Sequence, residues 1–186
     1  VYQRRTDIPL HNESARNWSA WPMARSRPIP PRRATVNAER FCKIWVDLGE
    51  DDAWARGLFD EIHAHYATPG RHYHTPAHID HCLNRLDKIA HLLDDPTAAE
   101  LAIWFHDVIY EIGSGDNERR SAQYFLDVTR GRLDNRRRAR IARHILATIY
   151  PSSPTDPDSL FIVDIDLSSF CLPWPQFLRD SANVRR

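Results

Sequence analysis

With 186 residues, 25 basic side chains balanced by 25 acidic ones and a net charge of zero with histidine neutral, the chain has room for one ordinary domain plus a tail. It carries no global field that would draw it to a nucleic-acid polymer or an anionic membrane, and no apolar run approaches transmembrane length. Its three cysteines, Cys42, Cys82 and Cys171, are scattered with no C-x-x-C pair, which argues against a disulfide framework and for a reducing, cytoplasmic setting.

Residues 1–36 carry proline at positions 9, 22, 28, 30 and 31, arginine throughout, and no helical or strand period. Such a stretch cannot bury enough surface to fold alone and reads as a disordered Pro/Arg-rich extension, with Trp18 and Trp21 suited to dock on a domain. The domain occupies residues 37–186. Phe41, Ile44, Trp45 and Leu48 recur at helical spacing, and Gly49 can end that helix. Asp51 or Asp52 caps a second helix, with Trp54, Leu58, Phe59, Ile62 and Tyr66 on one side, before a Thr68-Pro69-Gly70 turn.

A third helix starts with Thr75 as N-cap and Pro76 at the first helical position. Ile79, Cys82, Leu83, Leu86, Ile89, Ala90 and Leu93 make its apolar stripe. A fourth follows Asp95-Pro96 and carries Leu101, Ala102, Phe105 and Ile109. A loop with Gly113 and Gly115 leads to a fifth, over 117–130, ended by Gly131. A sixth runs through RRRARIARHILATIY to Pro151, its arginines forming a solvated face. The segment LFIVDIDLSSF, 160–170, fits a strand period and a helical face alike. A lone strand would have no partner, so a helix capped by Asp156 or Asp158 is favoured. The expected fold is all-α, a bundle of six or seven helices.

Three stretches carry chemistry. RHYHTPAHID, 71–80, places His74 just before the cap and His78 at the third helical position. Glu or Gln there would complete a capping box with Thr75, and histidine forgoes that bond. A helix N-terminus also favours neutral imidazole, the form a metal needs. Spacing alone leaves His78 open between ligation and packing beside Cys82. WFHDVIY, 104–110, ends an apolar helix with His106 and Asp107, and a carboxylate in so apolar a run is costly unless paired or metal-bound. Imidazole nitrogen with carboxylate oxygen suits Zn, Mn or Fe better than Ca. DID, 164–166, sets two more carboxylates in an apolar run, to be compensated by a cation or turned to water. Arg71 offers a bidentate fork to a phosphate. His11, His63, His65, His72, His81 and His91 read as surface or local structure, and His144 as lying on a helix flank.

YHTPAH, then WFHDV, then DIDLSS, in that order, resemble the HD-domain metal-dependent phosphohydrolase superfamily. RHYHTPAHI, FHDVIY, NERRSA and FIVDIDLSSF are similar to its bacterial branch of predicted metal-dependent HD phosphohydrolases, over residues 40–186. A more distant likeness links the Y-H-x-x-x-H and H-D-V strings to cyclic-nucleotide phosphodiesterases. The resemblance implies an HD-type helical bundle that holds a divalent ion, Mn, Mg, Zn, Fe, Co or Ni, on His78, His106, Asp107 and Asp166, with Asp164 as fallback for the last. It implies a catalytic role for Asp107 and for His74, which would protonate the leaving oxygen. It also implies contact of Asn117 and Glu118 with substrate, water or a second ion.

The implied activity is hydrolysis of a phosphomonoester or phosphodiester in a small phosphorylated molecule, a nucleotide among the candidates. The alternative is an inactive regulatory module that binds metal or nucleotide. Three departures stand out. Tyr150 in ATIYPSS replaces a family histidine, Tyr110 replaces a phosphodiesterase histidine, and the family continues into further helices beyond DSANVRR, so the domain is expected to be incomplete at its C-terminus.

Overall fold

The structure is a computed structural model and describes residues 33–151 and 153–184. The extension expected over 1–36 therefore lies outside the described residues up to position 32, and its last four positions already belong to the first helix. Among the described residues there are eight α-helices and no strand. These are α1 Arg33–Asp47, α2 Asp52–Tyr66, α3 Pro76–Ile89, α4 Pro96–Phe105, α5 Asn117–Val128, α6 Asn135–Ala147, α7 Pro157–Leu167 and α8 Trp174–Val184. None is long and apolar enough to cross a membrane.

Helix starts follow their side-chain caps. Asp51 accepts from the Trp54 N–H, Asp95 from Ala98, Asp134 from Arg137 and Asp156 from Ser159. Thr75 has the extended backbone of an N-cap, but its hydroxyl makes no capping bond; its carbonyl receives the His78 N–H instead, at 2.9 Å. Gly49 and Gly131 follow α1 and α5 with positive φ, the left-handed conformation that ends a helix without a Cβ clash.

α7 settles the ambiguous segment as helix. Asp156 caps it, while Asp158 is buried and does something else: its carboxylate accepts the Asp94 and Asp95 N–H groups, each at 2.9 Å, and pairs with Arg140 at 3.2 Å. That bond fixes the start of α7 beside the start of α4, so the two helices run parallel and finish at the same end of the bundle. α3 reaches the start of α4 through a short 3-10 turn over Ala90–Leu92 and is antiparallel to it. Its first turn therefore lies beside the last turns of α4 and α7.

α4 is the hub. Ala98, Ala99, Leu101, Ala102, Ile103, Trp104 and Phe105 are all buried, which leaves only Pro96, Thr97 and Glu100 of this helix outside the core. Against it α1 and α2 pack an aromatic core: the Phe41 ring lies 5.8 Å from Phe59, 5.3 Å from Trp104 and 6.4 Å from Phe105. Outside, Arg40 binds Glu100 at 2.6 Å and Asp87 at 2.7 Å, tying α1 to α4 and α3. The α6 arginines are only partly a solvated face, because Arg140 holds Asp158 and Arg138 donates to the Leu126 carbonyl. α8, the helix absent from the sequence reading, follows a 3-10 turn over Ser168–Cys171 and leaves Trp174 and Leu178 exposed.

Candidate metal centre

The parallel α4 and α7 and the antiparallel α3 bring four side chains to one point. His78 comes from the first turn of α3, His106 and Asp107 from the end of α4, and Asp166 from the end of α7. His78 Nε2 lies 3.2 Å from His106 Nε2, 3.1 Å from Asp166 Oδ1 and 3.9 Å from Asp107 Oδ2. His106 Nε2 lies 3.0 Å from Asp107 Oδ2 and 3.4 Å from Asp166 Oδ1. All four ligand atoms fall within 4.8 Å of one another. Bonds of about 2.0–2.2 Å to one ion place tetrahedral neighbours about 3.3–3.6 Å apart, so these separations bracket a shared cation.

The donor chemistry agrees. The His106 Nδ1–H donates to the Ile103 carbonyl at 2.8 Å, which leaves Nε2 of the neutral ring with its lone pair turned to the cluster. Two imidazole nitrogens and two carboxylates then face each other in a buried site, and only positive charge reconciles them. The carboxyl ends of α4 and α7 also direct their partial negative charge there.

In the absence of an ion a proton does the work. Burial pushes the His106 imidazolium down, but Asp107 and Asp166 outweigh it and hold its pKa well above the usual histidine range. Despite burial, hydrogen bonds from His106 and His78 hold the Asp166 carboxyl below its ordinary value, and His106 does the same for Asp107. Loading a cation would therefore release a proton.

The other expected residues divide. His74 Nε2 is 3.6 Å from Asp107 Oδ2, and its ring stacks on Tyr110 at 4.1 Å, tilted by 32°. Burial lowers its pKa and Asp107 partly opposes this, so the neutral ring is the resting form. Glu118 is half-buried at the start of α5; burial raises its carboxyl, Asp107 adds to the rise, and His106 counters it.

Arg71 is not a free phosphate fork. Its Nη1 donates to the Asp107 carbonyl and its Nη2 to the Val108 carbonyl, each at 2.8 Å, while its guanidinium sits over the Tyr66 and Tyr110 rings. Asn117 is likewise engaged by backbone. It is buried, accepts the Glu111 N–H at 2.9 Å and donates to the Glu111 carbonyl at 3.1 Å, closing the loop after the HD pair. Asp164, the fallback ligand, is exposed.

Three supporting side chains were not legible in the motifs. Tyr66 is buried; it donates to the Trp104 carbonyl and accepts the Asp107 N–H, at 3.2 and 3.3 Å, so it fixes the end of α4. Tyr73 bonds Ser169 across the first turn of α3. His144 is buried, not on a flank, and its Nδ1 pairs with Ser159 Oγ at 2.8 Å. Cys82 lies under His78, with Sγ 3.7 Å from Nε2, so the packing expected beside that ligand is present as well. The chain matches no family model, no curated protein and no solved structure.

Proposed function

We propose that the chain is a metal-dependent phosphohydrolase. In this reading His78, His106, Asp107 and Asp166 hold a divalent ion, and water cleaves a phosphomonoester or phosphodiester beside it. The substrate class is a small phosphorylated molecule, a nucleotide among the candidates. The observation that carries the reading is the meeting of these four ligand atoms, from three helices, within 4.8 Å. The HD resemblance assigns the same residues from sequence order alone. A mixed imidazole and carboxylate set accepts Mn, Fe, Co, Ni or Zn, and Mg less readily. When bound, such an ion lowers the pKa of water and polarises a phosphoryl oxygen.

The chain's own groups supply the rest. Tyr66 and Arg71 hold the Asp107 backbone from both its N–H and its carbonyl, so the carboxylate keeps its aim. His74 is the imidazole in reach to deliver a proton to the leaving oxygen; burial lowers its pKa, and Asp107 at 3.6 Å partly restores the charged form that step needs. Cys42, Cys82 and Cys171 are free thiols, which supports a cytoplasmic setting.

A second reading, metal or nucleotide binding without turnover, draws support from Arg71: its engagement with two carbonyls removes the phosphate fork the sequence offered. Metal analysis and a screen over phosphorylated metabolites with Mn, Mg, Zn, Fe, Co and Ni separate the two. Stoichiometric metal with turnover, both lost in His106→Ala, is the expected result. Metal without turnover favours the regulatory module; folded protein that takes up no metal overturns the hydrolase reading, and if it binds no nucleotide either it overturns the second as well.

A further inference from the structure

A cleft of mixed polarity opens beside the cluster, between the first turn of α3, the 3-10 turn after α7, and α8. Its volume is about 220 Å³, and it shares one lining residue, His78, with the candidate metal centre. Tyr73 also lines it, with its ring 5.0 Å from both His74 and His78, so the cleft begins where the proposed acid and the first ligand meet. The far side is polar: His81, Gln176, Asp180 and Asn183 line it, with Leu172 as an apolar patch.

The lining decides what fits. It contains no lysine or arginine, so nothing in it is built to hold a second phosphate. It does contain acceptors. Asp180 contributes a carboxylate. Ser168 donates its single hydroxyl proton to the Ile165 carbonyl at 2.6 Å, so the 2.8 Å contact between His81 Nε2 and Ser168 Oγ needs the proton on His81. Burial and the nearby Arg85 disfavour a second proton on that ring, which leaves Nδ1 as an acceptor. Gln176 and Asn183 add amides able to donate or accept. The volume lies below the roughly 300 Å³ at which pockets for drug-sized ligands begin, so one compact ring suffices to fill it.

We infer that this cleft receives the uncharged part of the substrate, a single polar ring rich in N–H or O–H donors, such as a nucleobase or a sugar, next to the phosphate carried at the cluster. The inference rests on the phosphohydrolase reading for the phosphate, and on the cleft alone for the ring. It predicts preference for a monophosphate whose leaving group is one compact polar ring, over diphosphates and dinucleotides.

The test measures ring binding without phosphate chemistry. Saturation-transfer NMR on the EDTA-treated full chain uses two sets of probes, nucleosides (adenosine, guanosine, cytidine) and free monosaccharides (glucose, ribose). One set should bind, and which one does identifies the ring. Asn183→Trp, which fills the cleft from the exposed helix, and Asp180→Ala, which removes its acceptor, should each weaken that binding by about tenfold or more. Metal content should be unchanged in both variants. Failure of both sets to bind, or binding that survives both substitutions, overturns the cleft assignment. Ring binding in a protein that neither takes up metal nor turns over p-nitrophenyl phosphate instead overturns the hydrolase reading and keeps the cleft.

Discussion

Neighbouring residues at the C-terminal end of α4 solve the burial problem in opposite ways. Trp104 and Phe105 belong to an aromatic core with Phe41, Trp45 and Phe59, in which shape alone is satisfied. One residue further on, His106 and Asp107 are just as buried, but in a cluster of lone pairs that needs a cation or a shared proton. The first environment stabilises the fold whatever the solution contains. The second stabilises it only in step with metal and pH. The contrast predicts that substitutions in the two regions respond to different variables.

The largest effect belongs to the aromatic core. Phe41→Ala removes a fully buried ring between α1, α2 and α4 and should cost about 3–5 kcal/mol in denaturant unfolding. Metal bound per folded molecule should not change. If Phe41→Ala abolished metal uptake in protein that remains folded, the two regions would not be separable.

Next comes metal removal. With free metal at about 100 times its Kd, loading should add about 2.7 kcal/mol to unfolding, and chelation should remove it. His106→Ala should abolish that response, a result read directly from melts with and without EDTA. The pH dependence of the metal-free protein follows from the same groups. Asp107 and Asp166 have folded pKa values below their unfolded ones, so their contribution is complete above the ordinary carboxylate range and fades as pH falls towards the folded values. His106 has a folded pKa above its unfolded one, so its contribution is complete below the usual histidine range and fades as pH rises through the raised value. Metal-free protein should therefore lose stability at both extremes. Loaded protein should keep it on the alkaline side, where the ion has replaced the proton. Identical alkaline limbs with and without metal would remove the cluster from the account.

Arg71 joins the two regions, since it rests on Tyr66 and reaches the carbonyls of Asp107 and Val108. Arg71→Met keeps much of the stem packing and loses the donors. It should cost about 1.5–3 kcal/mol for a charged donor's bonds and loosen metal binding through Asp107. Unchanged metal affinity with lowered stability would make Arg71 a purely structural clamp.

What the sequence disclosed follows the range of the interactions. Caps such as Asp51, Asp95 and Asp156 act over three residues, so the helix starts were legible. The four cluster residues could be named as a set only through the HD resemblance; charge in apolar runs marked Asp107 and the 164–166 carboxylates as anomalous but left His78 and the choice between Asp164 and Asp166 open. The roles of Arg71 and Asn117 were not legible, because their partners are backbone carbonyls and amides, which no residue type announces. Asp158 passed for a second cap candidate because its real partners, the Asp94 and Asp95 N–H groups, come from another helix. His144 passed for a flank residue because its partner Ser159 also lies on another helix. α8 escaped notice although Trp174, Phe177 and Leu178 recur at helical spacing, because Pro173 and Pro175 at its start read as a break.

The smallest predicted effect is the sharpest check on the cluster. Asp164 and Asp166 would share one exposed face on a strand. On α7 two residues turn the side chain by about 200°, so the carboxylates point to opposite sides of the helix. Asp164 is exposed, while Asp166 Oδ1 lies 3.1 Å from His78 Nε2. Asp164→Asn should therefore change stability by less than about 0.5 kcal/mol and leave metal content alone. Asp166→Asn, the same chemical change two residues on, should strip the metal. Equal losses in the two variants would mean that α7 is not held in this rotational setting, and with it would go the geometry on which the centre depends.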